Sequence, residues 1–189
     1  MQIITSPGFA AQTITKSRFI AAALACQDER EVGAALRAFA AQHTNAHHLA
    51  YAFRLKMPDG IVPRFSDAGE PSGTAGLPMA KLLEGRDLIN VCVAVIRYYG
   101  GVNLGTGGLV RAYGGTAKLA LDAAKFNEFV EMQNITLIIS YKQMDMVTSA
   151  LAKCNGSIIS KVFNEQVVLE LSLPKAEVAN FTNRFKTYP

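Results

Sequence analysis

Glycine is the residue type whose distribution says most about the chemistry of this chain. Eleven of the 15 glycines lie between Gly69 and Gly115, and seven of these lie between Gly100 and Gly115. A glycine inside regular structure costs roughly 0.5–1 kcal/mol relative to alanine, so such a cluster needs a local reason. One reason is the close approach of backbone N–H groups to a bound anion; tight turns and close strand–helix packing are the alternative.

The sequence GTGG at 105–108 directly precedes a segment with helical periodicity. Unpaired N–H groups and the helix dipole favour a phosphate at a helix N-terminus, and a backbone without side chains lets it approach. The segment has no G-x-x-x-x-G-K-[ST] motif, so it is not a Walker A loop. It is not a dinucleotide fingerprint either, since Val110 replaces the third glycine.

Basic and aromatic residues accompany the glycines. Arg97 ends an apolar run beside Tyr98 and Tyr99, a combination that suits phosphate contact with base stacking and equally suits strand-end packing. On the next helix, Arg111 and Lys118 are spaced by seven and face away from an apolar stripe. The expected stripe comprises Leu109, Ala112, Thr116, Leu119, Ala120 and Ala123. The basic positions predict either a phosphate-binding stripe or an ordinary solvated face.

Two carboxylates, Asp67 and Glu70, flank Gly69 in a loop. Such a pair can hold a metal or act as acid and base, but no nucleophile–base pair is adjacent, and ordering of the loop through backbone N–H groups is the preferred explanation. His43, His47 and His48 form a weak zinc pattern without a cysteine or acidic ligand, and capping or packing explains them equally well. No catalytic residue, metal or cofactor is therefore assigned. The candidate ligand-binding residues are Asp67, Glu70, Arg97, Tyr98, Tyr99, Gly100, Gly101, Gly105, Thr106, Gly107, Gly108, Arg111 and Lys118.

Periodicity and turn residues place these candidates in an α+β protein with two domains, residues 1–128 and 129–189. The first is predicted to contain strands at 17–26, 48–55, 61–66 and 91–96 and helices after Asp28, at 78–83 and at 109–124. The second is predicted to be strand 135–140, helix 142–153, strands 156–163 and 166–173, and a helix starting at Pro174. That order is a ferredoxin-like βαββα unit without its final strand, which leaves a sheet edge for a partner.

Composition narrows the function classes. With 50% hydrophobic and 18% charged residues among 189, the chain can bury a core and is not expected to be disordered. No apolar run approaches the length of a membrane span, and no signal peptide is recognised. Three scattered cysteines favour buried, reduced thiols and hence a cytoplasmic location. Residues 1–127 hold 13 basic and 9 acidic residues, a bias that permits an anionic partner.

Two long stretches resemble the signatures of the IMPACT family, including its bacterial YigZ branch: RFSDAGEPSGTAGLPM at 64–79 and IRYYGGVNLGTGGLVRAYGGTA at 96–117. Ala46-His47-His48 before a strand also matches a family position. The resemblance implies a first domain similar to domain 2 of the small-subunit ribosomal protein five, a sheet with two helices on one face. It implies a second domain similar to a C-terminal domain of elongation factor G. Ala68 and Leu77 depart from acidic and basic residues common in the family, which weakens a metal site and removes one phosphate contact.

The resemblance also implies a role in translation. Eukaryotic members restrain the general-control kinase pathway by binding its activator, through an additional N-terminal domain that these 189 residues are not expected to contain. The leading hypothesis is a non-enzymatic binding protein for RNA, the ribosome or a translation factor. One alternative is an enzyme or sensor for a small phosphorylated metabolite that uses the same loop. Another is a protein-interaction module that uses the C-terminal sheet. No membrane partner is expected, and the oligomeric state is left open.

Overall fold

In the computed structural model, which describes residues 1–185, the chain divides between Phe129 and Val130 into two units. The α+β class with two domains is confirmed. The strands are β1 Gln2–Ser6, β2 Gly8–Ile14, β3 Ser17–Ala25, β4 His48–Met57, β5 Gly60–Ser66, β6 Val91–Tyr98, β7 Lys125–Glu128, β8 Met132–Ile139, β9 Ser157–Phe163 and β10 Val167–Pro174. The helices are α1 Glu29–Ala41, α2 Gly76–Gly85, α3 Gly105–Ala123, α4 Met144–Lys153 and α5 Val178–Phe185. None of the helices in residues 1–185 is long and apolar enough to cross a membrane.

An antiparallel sheet with the order β2-β3-β6-β4-β5 forms the centre of unit 1. The apolar run of β6 is buried along both faces, as expected for a central strand. Helices α2 and α3 pack on the face that carries Ala21, Ala52 and Val93. The remaining helix, α1, covers the opposite face through Val32 and Phe39, so this sheet has helices on both sides.

The start of α1 carries the Asp28 N-cap expected from the sequence, but Glu31 bonds back to Gln27 and not to the Asp28 amide that a complete capping box would use. The Glu31 amide donates to the Asp28 carboxylate at 2.7 Å, and the Glu31 carboxylate accepts from the Gln27 amide at 2.8 Å. The Asp28 carboxylate satisfies an N–H group that the helix itself leaves unbonded, and the Glu31 carboxylate holds the residue before the cap. The cap therefore fixes where the chain leaves the sheet.

Three short strands of unit 1 were not predicted: β1, β2 and β7. Strand β1 pairs with β7, and β2 forms an edge of the main sheet beside β3. The helix-facing positions of β2 include Gly8 and Gln12, which break the apolar alternation that identifies a strand. Gly8 lies so close to α3 that a Cβ there would overlap the Ala120 carbonyl oxygen, so packing rather than local pattern decides this strand.

Helix α3 differs from its predicted form in two respects. It begins at Gly105, four residues before the predicted start, because the glycine sequence itself is helical. Its buried stripe includes Tyr113 and Ala117, whereas the predicted core residue Leu119 is 45% exposed. The stripe is rotated because α3 packs against β2, β3 and α2 together.

Unit 2 has a three-stranded antiparallel sheet in the order β8-β10-β9. Helices α4 and α5 cover one face of this sheet, through Val147, Leu151 and Phe181. The alternation of Val167, Leu169, Leu171 and Leu173 places these four residues of β10 in the core. Pro174 does not begin the last helix directly, because a 3-10 turn at Lys175–Glu177 precedes α5.

Candidate functional site

The candidate residues converge on one end of the unit 1 sheet. Strands β3 and β4 run antiparallel to β6, so their first residues lie beside its last ones, with His48 opposite Arg97 and Arg18 opposite Tyr98. Strand β5 also runs antiparallel to β4 and ends at this side with Ser66. The chain leaves β5 toward α2 and leaves β6 toward α3, so both helices begin here.

Asp67 organises the loop that leads into α2. Its carboxylate accepts hydrogen bonds from the amides of Gly73 at 2.8 Å, Ala75 at 2.9 Å and Gly76 at 2.8 Å. Burial raises the pKa of this carboxyl, but the three amide hydrogen bonds outweigh burial and hold the pKa below its ordinary value. All three bonds belong to loop ordering, the role that the sequence favoured over metal binding.

Glu70 is the acceptor at the centre of a buried polar cluster. Its Oε1 accepts from Arg97 Nη1 at 2.7 Å and from the Tyr113 hydroxyl at 2.7 Å, and its side chain is only 4% exposed. Burial, together with the hydrogen bond to this carboxylate, raises the pKa of Tyr113, so the phenol stays protonated and donates. One carboxylate thus ties the loop before α2 to the end of β6 and to the middle of α3.

Arg97 lies inside this cluster, with a side chain that is 5% exposed. Its guanidinium carbon lies 5.6 Å from the Phe19 ring centroid and 5.1 Å from that of Tyr99, and Nη2 donates to Ser17 Oγ at 3.4 Å. Its Nε has no partner among residues 1–185. The guanidinium of Arg97, which the sequence analysis proposed as a phosphate contact, therefore pairs with Glu70 in this structure.

The three histidines make separate structural contacts. His43 Nδ1 lies 3.0 Å from the Tyr98 hydroxyl, His47 Nδ1 accepts from the Tyr99 amide at 3.2 Å, and His48 Nδ1 donates to the Ala68 carbonyl at 2.9 Å. Across residues 1–185, no group of three His, Cys, Asp or Glu side chains is arranged to hold a metal ion. Burial raises the pKa of Cys26 to about 11, with Glu31 and Asp28 adding to the shift, so this thiol is not an activated nucleophile.

The first turn of α3 is the exposed part of the site. No side chain of residues 1–185 caps this helix, and Gly105, Thr106 and Gly107 are exposed. A Cβ at Gly107 would meet only the Arg111 guanidinium, at 3.6 Å. The exposed Arg111 therefore lies back along the turn whose amide groups point out of the helix, and no packing contact explains the glycine at 107.

Other glycines of the cluster have structural explanations. A Cβ at Gly100 would overlap the Lys16 carbonyl oxygen, so this position needs glycine for close packing between β6 and the turn before β3. Gly101 and Gly105 have φ values of 80° and 69°, which only glycine adopts at little cost. A Cβ at Gly108 would lie 3.0 Å from the Leu104 side chain, which is a tight contact. Packing and turns thus account for several glycines of the cluster, whereas Gly107 shares with Gly85, Gly114 and Gly115 a Cβ position that is open or in ordinary contact.

The remaining candidates are distributed over different surfaces. Tyr99 is 39% exposed, and its hydroxyl donates to Asn103 Oδ1 at 3.0 Å, which links the ring to the approach to α3. Tyr98 packs on the α1 side of the sheet. Lys118 lies about 20 Å along α3 from Gly105, and its ammonium pairs with Asp122 at 2.7 Å.

Sequence reasoning missed Tyr113, Ser17 and the contact of His48 with this cluster, where His48 Nε2 lies 3.9 Å from Glu70 Oε1. One signal was present for Tyr113, because it lies next to Ala112 on the buried side of α3, and a buried phenol needs a partner for its hydroxyl. Ser17 gave no such signal, because only the pairing of β3 with β6 brings it to Arg97 and to the Gly100 amide.

Two family models match the chain: the Impact N-terminal domain over residues 15–121 and a domain of unknown function, DUF1949, over residues 137–186. The chain is similar to the IMPACT family member YigZ of Escherichia coli (strain K12), at 35% identity over 98% of this chain and 92% of the relative. It is also similar to the IMPACT family member YvyE of Bacillus subtilis (strain 168), at 32% identity over 89% of this chain and 77% of the relative.

Two solved structures align with the chain to different extents. The crystal structure of an hypothetical protein aligns with a TM-score of 0.73 and 36% identity, over 97% of this chain and 89% of that one. The structure of the two-domain translational regulator Yih1 aligns in part, with a TM-score of 0.40 and 26% identity, over 62% of this chain and 47% of its own. The likeness at high coverage supports the α+β architecture with two domains.

Proposed function

The chain belongs to the IMPACT family, and from that premise we propose that it is a non-enzymatic binding protein of the translation apparatus. It holds phosphate groups of RNA at the first turn of α3. The role in translation follows from the family resemblance, and RNA is the ligand whose chemistry fits the exposed groups of the site. The observation that carries the proposal is the Arg111 guanidinium lying beside the uncapped turn at Gly105–Gly107.

Electrostatics at this turn favour a phosphate. The amide groups at a helix N-terminus carry a partial positive charge, and anions bind there through direct N–H hydrogen bonds. Arg111 adds a full positive charge and a planar set of donors that matches phosphate oxygens. Because Gly107 has no side chain, an oxygen atom can reach the backbone without displacing protein atoms.

Tyr99 supplies the second element of an RNA site. Its ring centroid lies 5.1 Å from the guanidinium carbon of Arg97, and its hydroxyl donates a hydrogen bond to Asn103 Oδ1 at 3.0 Å. A ring held in this way loses little freedom when a base stacks on its exposed part, and stacking is tolerant of sequence. Glu70 and Arg97 therefore act as the support of the stacking residue in this proposal, and Arg111 makes the phosphate contact.

The binding hypothesis is preferred over the metabolite enzyme because both carboxylates are engaged. Asp67 accepts three backbone hydrogen bonds, and Glu70 accepts from Arg97 and Tyr113. A general acid or base must reach a substrate proton, and the oxygens of Asp67 and Oε1 of Glu70 already accept hydrogen bonds from the protein. The exposed groups bind and stack, which are the properties of a non-enzymatic site.

The test is a titration of labelled single-stranded RNA at several salt concentrations with wild type and Arg111→Ala. Each phosphate contact releases counterion, so we expect Arg111→Ala to reduce the slope of log K against log salt by about 0.7. A hydrogen bond to a charged group contributes about 1.5 kcal/mol. Its loss corresponds to roughly tenfold weaker binding at low salt. The effect should be similar for RNAs of different sequence, because a phosphate carries no sequence information.

Arg37→Ala is the matched control. Arg37 also lies beside a glycine four residues earlier, since a Cβ at Gly33 would meet its Nη1 at 3.2 Å. That glycine is in the interior of α1, and the start of this helix is capped by Asp28, which accepts from the Glu31 amide, so Arg37 does not lie beside an uncapped first turn. Equal losses for both variants would indicate general charge effects. Binding of inorganic phosphate without any RNA binding at low salt would favour the metabolite sensor.

A further inference from the structure

The two edges of the unit 2 sheet differ in how they are protected. Edge strand β9 carries Lys161 and an irregularity against β10, where the register shifts between Ser160 and Ile158. Lysines and bulges are the devices by which natural edge strands avoid pairing with other chains. The β9 edge is therefore protected in the ordinary way.

Strand β8 has neither device. All eight of its residues stay in regular register with β10, from Met132 opposite Pro174 to Ile139 opposite Val167. Its sequence MQNITLII contains no charged residue and no proline. Within residues 1–185, β10 is its only strand partner. An edge strand this long and regular, with Ile138 51% exposed, has the properties of a strand that pairs.

The charge of this unit favours a second copy of the chain as the partner. A neutral strand offers nothing to attract a basic or an acidic peptide, but it meets its own copy without repulsion. Residues 130–189, which form unit 2, hold six basic and five acidic residues, so the surrounding surfaces repel only weakly. A net charge this close to zero lets two copies of an unprotected edge approach without strong repulsion.

A register centred on Thr136 is geometrically compatible with pairing of β8 to its own copy. Consider an antiparallel pair of β8 strands with a two-fold axis at Thr136. Asn134 of one copy then lies opposite Ile138 of the other, and these residues are on the sheet face that the helices do not cover. On the core side, Ile135 lies opposite Leu137. Residues that face each other across the two-fold axis thus belong to the same face of the sheet, as strand pairing demands.

We propose that β8 pairs antiparallel with β8 of a second copy, which joins the two three-stranded sheets into one sheet of six strands. The pairing is isologous and uses backbone hydrogen bonds that β8 leaves open. It does not depend on the phosphate site in unit 1.

Charge placed at Thr136 tests the proposal in the full chain. This residue is exposed, and the two copies of it meet at the two-fold axis. In sedimentation equilibrium over a concentration series, wild type should approach twice the monomer mass. Thr136→Lys and Thr136→Glu should each stay at the monomer mass, because like charges directly opposite destabilise a strand pair. An equimolar mixture of the two variants should recover the doubled mass.

Ser157→Lys on the protected β9 edge is the control, and it should dimerise like wild type. Circular dichroism checks that every variant is folded, and Asn134→Lys gives a second position on β8. Three results would overturn the proposal: a wild type that is monomeric at all concentrations, single variants that still dimerise, or a mixture that stays monomeric. The last result would mean that β8 pairs with a different strand, from another protein or from elsewhere in the chain.

Discussion

Helices α2 and α3 begin at the same end of the unit 1 sheet, but their first turns are satisfied in different ways. At α2, Asp67 accepts the amides of Ala75 and Gly76 and that of Gly73 before them. At α3, no side chain of residues 1–185 takes this role, and Arg111 lies beside the open turn. Helix starts that contain glycine are therefore not equivalent. The first amides of α2 are bonded to Asp67, whereas those of α3 have no side-chain acceptor in residues 1–185.

The first prediction concerns Glu70, which links the loop before α2 to Tyr113 of α3. Glu70→Gln removes the charge that compensates buried Arg97, and loss of one partner of a buried pair costs about 3–5 kcal/mol. We expect a fall of this size in the free energy of unfolding of unit 1, measured by urea and circular dichroism.

Glu29→Gln is the control for this prediction. Glu29 pairs with Arg64 at 3.4 Å, and both side chains are more than 60% exposed. An exposed pair contributes about 0–1 kcal/mol, so this variant should unfold almost like wild type. Equal effects of the two substitutions would show that Glu70 does not support the cluster.

The second prediction concerns the closed start of α2. Asp67→Ala removes three amide hydrogen bonds, and we expect unit 1 to lose about 2 kcal/mol of unfolding free energy, the upper end for a helix cap. Asp28→Ala at α1 removes a single such bond, from the Glu31 amide, and should cost about 1 kcal/mol. The salt dependence of RNA binding by the folded Asp67→Ala protein should not change, because the Arg111 contact on α3 is untouched. A larger loss for Asp28→Ala would contradict the ranking.

The third prediction sharpens the difference at the open start of α3. In Gly107→Ala, the new Cβ meets only Arg111, so the helix should gain about 0.5–1 kcal/mol of stability. Binding of RNA should nevertheless weaken, because the methyl group lies where the phosphate approaches. Gly33→Ala in α1 is the matched control and should leave RNA binding unchanged. If Gly107→Ala binds RNA as wild type does, the phosphate does not contact this turn.

The fourth and smallest effect is the acid dependence of Asp67. Its folded pKa lies below the unfolded value of about 3.9, so its contribution is fully present above that pH and is lost as pH falls through the folded pKa. The difference in unfolding free energy between wild type and Asp67→Asn should therefore be constant from about pH 5 to pH 7 and shrink below about pH 4. A difference that grows on acidification would contradict the assigned direction of the pKa shift.

Several features could be predicted because they depend on neighbouring residues. The Asp28 N-cap of α1, the buried run of β6 and the alternation of β10 are local patterns, and each has the expected form in the structure. The glycine sequence at 105–108 marked the region where α3 starts, although these residues form its first turn instead of preceding it. Strands β1, β2 and β7 were missed, because their positions are decided by packing partners distant in sequence.

The sequence by itself determined which residues gather at the candidate site, since loop lengths and strand directions bring the loop after β5 and the loop after β6 to one sheet end. Only the tertiary structure decided which of their charges remain free. Arg97 ends a strand in either case, but Glu70, 27 residues away, and Tyr113, 43 residues beyond Glu70, turn it inward. A buried charge must be compensated wherever its partner lies in the chain, and local patterns do not contain that partner. Arg111 meets no such partner in residues 1–185, so its charge remains at the surface of the site.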